Sequence, residues 1–118
     1  MISNKEFKKI YKQKKFRMGV FQIRNTVNAK VFIESSMNLD TIWNRHNFQL
    51  RNNLHTNKLL QNDWTTYGTE NFVFEILGEI HEEENGTIDY RKEIKKLEIL
   101  FLEEIQPFDD KGYHLKQG

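Results

Sequence analysis

Residues 19–33 read GVFQIRNTVNAKVFI, and the fold is built outward from this stretch. Val20, Phe21 and Ile23 make 19–24 a strand candidate, and Val31, Phe32 and Ile33 make 30–35 a second. Between them Asn25-Thr26-Val27-Asn28 has turn chemistry, with Asn at two positions that tolerate unusual backbone angles. Two short β-rich runs around such a turn predict a hairpin.

Helical spacing follows. Leu39, Ile42, Trp43, His46 and Leu50 form a stripe that Asn38 or Asp40 can cap and that Asn52-Asn53 breaks. A second helix is expected over 57–67 on Leu59, Leu60, Trp64 and Tyr67, stopped by Gly68. Phe72, Phe74 and Ile76 alternate along 71–79, a third strand. A polar loop, 81–86, leads to a long helix over 88–105. Its apolar positions are Ile94, Leu97, Leu100, Phe101 and Ile105, with Ile99 and Leu102 widening the buried face. Pro107 lies just past its end, 109–112 make a turn, and Tyr113-His114-Leu115 close the domain. Before the hairpin, Asn4 can cap a helix carrying Phe7, Ile10 and Tyr11. The expected class is α/β (α+β): a small three-stranded, mainly antiparallel sheet flanked by helices, with an extra amino-terminal helix.

A length of 118 residues allows one core. Cysteine is absent, which excludes disulfides, thiolate catalysis and cysteine zinc sites and fits a reducing, cytoplasmic setting. No apolar run has the length of a membrane span, and the first residues lack the apolar centre of a signal peptide. The net charge of +1 hides a division. Residues 1–17 hold seven Lys/Arg against Glu6, a net +6, whereas 18–118 hold 11 bases and 16 acids, a net −5. A basic arm, 1–17, precedes a mildly acidic domain, 18–118. Lys8, Lys9, Lys12, Lys14, Lys15 and Arg17 of the arm, with Arg24, Lys30, Arg51 and Lys58 of the domain, are the candidate phosphate contacts. Trp43 and Trp64 can stack on bases, but their helical spacing places them in the core first.

There is no glycine-rich phosphate loop, no pair of His at metal spacing and no glycine elbow around Ser35-Ser36. His46, His55, His81 and His114 are scattered. The ordered text carries more: GVFQIRNTVNAKVFI, then WNRH at 43–46, HTNKLLQNDWTTYG at 55–68, ENFVFEIL at 70–77, a helix with Glu98 before Leu100-Phe101-Leu102, and GYHL at 112–115. Over Gly19 to about Leu115 this resembles the GIY-YIG nuclease family, in particular its phage and mobile-intron members. The resemblance implies two tripeptides on the paired strands of the hairpin, a nucleic-acid partner with DNA ahead of RNA, and a single Mg²⁺ or Mn²⁺ if the site is active.

Carried over by position, the resemblance also implies an altered site. The family tyrosines that position or deprotonate the attacking water fall on Phe21 and Phe32, the glycine ending the second tripeptide falls on Glu34, and the charge-stabilising arginine falls on Ile42. The closing asparagine is His114, while Gly19 begins the first tripeptide. Glu98 matches the glutamate that holds the cation and is the metal-ligand candidate. Arg45 lies three residues after Ile42 on nearly the same helical face, a shifted replacement, and His46 and His55 match positions where relatives often keep His. Losing one charge-stabilising group costs on the order of 10²–10³ in rate, and several are altered here. The expected function is therefore a diverged GIY-YIG-type domain that binds nucleic acid with lost or impaired endonuclease activity. Two alternatives stand beside it. One is a divalent-metal-dependent endonuclease using Glu98 with Arg45, His46 and His114 as replacement groups. The other is a protein-interaction module, for which the acidic Glu82-Glu83-Glu84 loop and the −5 domain speak.

Overall fold

The computed structural model describes residues 16–82 and 86–116. The expected amino-terminal helix lies outside the described residues. The element order is β1 (Met18–Asn25), β2 (Val31–Ser36), α1 (Leu39–Arg51), α2 (Lys58–Tyr67), β3 (Phe72–Ile80) and α3 (Tyr90–Ile105). The three strands form one antiparallel sheet in the order β2-β1-β3. This is the α+β architecture that the periodicities imply. No helix among the described residues is long and apolar enough to cross a membrane.

The β1–β2 turn closes through Asn25 and Ala29, whose backbone groups bond at 2.8 Å. The strained angle falls on Ala29, at φ 66°, and not on either asparagine as the sequence suggested. Asn25 and Asn28 instead use their side-chain oxygens, accepting the N–H groups of Val27 and Lys30. Short polar side chains that satisfy the backbone two residues on stabilise a turn without themselves entering the left-handed region.

β1 is the central strand and is covered on both faces. Phe21 and Ile23 face α1 and α2 in a core that includes Phe32, Ile42, Leu60, Trp64 and Tyr113. Val20, with Val31 and Ile33 of β2, faces Leu97, Phe101, Leu102 and Ile105 of α3. Gly19 is fixed by proximity: a Cβ there would lie 2.0 Å from the carbonyl oxygen of Gly78 on β3.

The helix caps are side-chain oxygens of Asn38, Asn57 and Asp89. α3 therefore starts at Tyr90, two residues later than its apolar pattern suggested. Its buried face is also narrower than expected. Ile94, Leu97, Glu98, Phe101, Leu102 and Ile105 follow i, i+3, i+4 spacing against the sheet, whereas Ile99 and Leu100 are 47% and 59% exposed. A helix lying on one sheet face buries a single stripe, so apolar residues outside that stripe face water.

Candidate functional site

β2 is an edge strand, so alternate residues turn their backbone groups away from β1. Val31, Ile33 and Ser35 each have one such group met by a partner that is not a strand. The Val31 carbonyl accepts the N–H of Tyr113 at 3.1 Å. The Ile33 N–H donates to Nε2 of His114 at 2.8 Å, and the Ser35 N–H donates to Oε1 of Glu98 at 2.7 Å. Glu98 is 5% exposed, and its other oxygen, Oε2, accepts from Lys95 Nζ at 2.5 Å. The carboxylate inside the apolar stripe of α3 is thus compensated on both oxygens. His114 lies flat against Phe32, with ring centroids 5.3 Å apart and planes 8° from parallel. Burial pushes its pKa down, and a ring nitrogen that accepts a backbone N–H belongs to neutral imidazole with the proton on Nδ1.

Phe21 and Phe32 are buried in the core, and Ile42 of α1 packs with them. Behind Phe32 lies a histidine pair that the sequence left as separate residues. His46 and His55 are 5% and 1% exposed, and His46 Nδ1 lies 2.8 Å from His55 Nε2. The Asn57 N–H donates to His55 Nδ1 at 3.0 Å. The neutral His55 must then carry its proton on Nε2 and give it to His46 Nδ1, which places the His46 proton on Nε2. That atom has no hydrogen-bond partner among the described residues, and the nearest carboxylate oxygen, Glu34 Oε2, is 3.4 Å away. Burial first, and His46 second, lower the His55 pKa to about 4.

Glu34 leads out of the core to a cleft of about 360 Å³ at the end of β2. Glu34, Ser35, Ser36, Met37, Ile42, Arg45, Arg91 and Ile94 line it. Ile42 and Arg45 thus share one cleft, as their spacing on α1 predicts. Arg91 was missed in the sequence. Its signal was present: it precedes Ile94 by three residues and Glu98 by seven, on the same helical face. Phe21 pairs in register with Glu34, so the positions at issue gather around the end of β2. His114 lines other clefts, on the side of Leu59 and Leu115.

The fold is shared with known proteins. The chain covers 85% of itself and 99% of the solved catalytic domain of homing endonuclease I-TevI, at a TM-score of 0.69 and 28% identity. This is a GIY-YIG-like domain. A point mutant of the I-TevI catalytic domain matches over 87% of this chain and 97% of that one, at a TM-score of 0.70 and 26% identity. In sequence, the chain is 35% identical over 75 residues to intron-associated endonuclease 1 of Enterobacteria phage T4, which is 62% of this chain. It spans 29% of the length of that relative. No protein-family model matches the chain.

Both Glu98 oxygens are engaged, and among the described residues no three His, Asp or Glu side chains are grouped to hold a metal ion. Of the candidate phosphate contacts, Lys8, Lys9, Lys12, Lys14 and Lys15 lie outside the described residues. Arg17 pairs with Asp40 and Glu79, and Arg24 with Glu75, so carboxylates already neutralise both. Arg51 donates to Asn47 at 3.0 Å. Lys30 and Lys58 line the clefts on the far side with Tyr113 and His114. Trp64 is buried, and Trp43 packs edge-on against it, so the two tryptophans are core.

Proposed function

We propose that this GIY-YIG-like domain binds nucleic acid, DNA ahead of RNA, and that the family's phosphodiester cleavage is lost or impaired in it. One observation carries the reading: the positions where the family places two hydroxyls and a guanidinium hold Phe21, Phe32 and Ile42, all packed in the core. No phenol is present there to orient water, and no charge at Ile42 to meet a developing phosphorane. Glu98 and His114 serve backbone amides of β2 instead. The basic arm and the arginines of the cleft supply attraction for a polyanion.

The test pairs two assays on the full chain. Binding to a short duplex is titrated against salt, and nicking is followed with Mg²⁺ and with Mn²⁺. Affinity that falls linearly in log–log form with salt, without cleavage, is the expected result. Metal-dependent nicking that Glu98→Ala abolishes would refute the loss of activity. Binding that is absent or indifferent to salt would refute the nucleic-acid reading and favour a protein partner.

A further inference from the structure

Five arginines lie among the described residues, and three have partners. Arg17 and Arg24 are ion-paired and Arg51 is hydrogen-bonded. Arg45 and Arg91 have neither kind of partner among the described residues, although they belong to different helices and line the same cleft. Two like charges brought to one pocket repel each other, and a shared anion removes that repulsion. Among the described residues Glu34 is the single acid on the cleft wall, and it sits beside the buried N–H of His46. Two guanidinium groups against one carboxylate give the described wall of the cleft a net positive charge. Ser36 adds a donor: its hydroxyl oxygen accepts the Asn38 N–H at 3.0 Å, which leaves its own hydrogen available.

We infer that Arg45 and Arg91 clasp one phosphate group of a bound nucleic-acid strand, from opposite helices, at the mouth of this cleft. The inference rests on the nucleic-acid reading above and gives it a location. Guanidinium forks match the oxygens of a phosphodiester in pairs, which a lysine ammonium does not. The positive charge at this cleft therefore stands one helical turn outward from Ile42 on α1, and is matched by a second arginine from the first turn of α3. Glu34 opposes the anion without cancelling both arginines.

The experiment follows the arginine Nε–Hε resonances of the full chain by NMR, titrated with inorganic phosphate and, separately, with a short oligonucleotide. The expected result is that the Arg45 and Arg91 signals move with one common midpoint. Arg45→Ala is expected to weaken the phosphate response of Arg91 roughly tenfold or more, as is Arg91→Lys for Arg45, because the charge is kept but the fork is lost. The double variant R45A/R91A is expected to bind the oligonucleotide hardly more weakly than either single variant, the mark of one shared group. Both side chains are exposed, so circular dichroism should show the variants folded. Separate midpoints, or signals that do not move, would overturn the clasp. Full oligonucleotide affinity in R45A/R91A would also overturn it while leaving the nucleic-acid reading intact. Phosphate shifts in a protein that binds no oligonucleotide would overturn the strand as ligand together with that reading.

Discussion

Glu98 of α3 accepts the backbone N–H of Ser35 at 2.7 Å, joining a buried carboxylate to the edge of the sheet. Replacing Glu98 by Ala leaves that N–H buried and unsatisfied, at a cost of about 1–3 kcal/mol. Glu98→Gln keeps an acceptor for Ser35 and loses only the charge-assisted bond to Lys95. It is expected to cost less than half as much as the alanine variant. Urea unfolding of the two variants checks this, and equal losses would deny the Ser35 bond its role.

His55 sets a pH dependence of stability. The unfolded chain takes up this proton near pH 6.5 and the folded chain near 4. Between those values the unfolded state binds more protons, so stability falls as pH drops through the window. The loss is on the order of 3 kcal/mol if the whole shift is realised. His114, also lowered by burial, acts in the same direction. Thermal unfolding from pH 7 to pH 4 should show this slope, and His55→Gln should flatten it even though the variant starts less stable.

Glu34 stands on the wall of the cleft that holds Arg45 and Arg91. Removing its charge by Glu34→Gln should tighten binding of a short duplex roughly fivefold at low salt, the effect of about 1 kcal/mol of repulsion between partly solvated charges. The gain should shrink at high salt. Weaker binding by this variant would mean that the carboxylate contacts the ligand favourably.

The arm is tested by deleting residues 1–15. Arg17 is kept because it pairs with Asp40 and Glu79 and its carbonyl accepts the Leu39 N–H. The truncated chain should bind a duplex more weakly and with a flatter salt dependence, each lost phosphate contact reducing the slope by about 0.9. An unchanged slope would remove the arm from the binding surface.

The hairpin, the two short helices and the third strand were legible because their apolar periods and caps agree with their tertiary roles. Asn57 caps α2, and Gly68 ends it with φ 91°, in line with the sequence signal. α3 was read too broadly because Ile99 and Leu100 satisfy a helical pattern without lying on its buried stripe. The identities of Phe21, Phe32, Glu34, Ile42 and Glu98 could be set against a family pattern, and the expectation of an altered site came from that comparison. What Glu98 and His114 touch was not, since backbone amides of β2 leave no mark in side-chain sequence. The His46–His55 contact spans a loop whose path periodicity does not give. Arg91 escaped because it lies far along the chain from the hairpin, and only the packing of α3 brings it to Arg45.

The bonds along β2 also cover an outer edge of the sheet. An exposed strand edge with free N–H and C=O groups is a template for another chain. Here Tyr113, His114 and Glu98 occupy positions 31, 33 and 35 of that edge in turn. A chain cut before Gly112 would leave Val31 and Ile33 bare, and aggregation through β2 would be its expected fate. Glu98 and His114, whatever else they do, are the caps of this sheet edge.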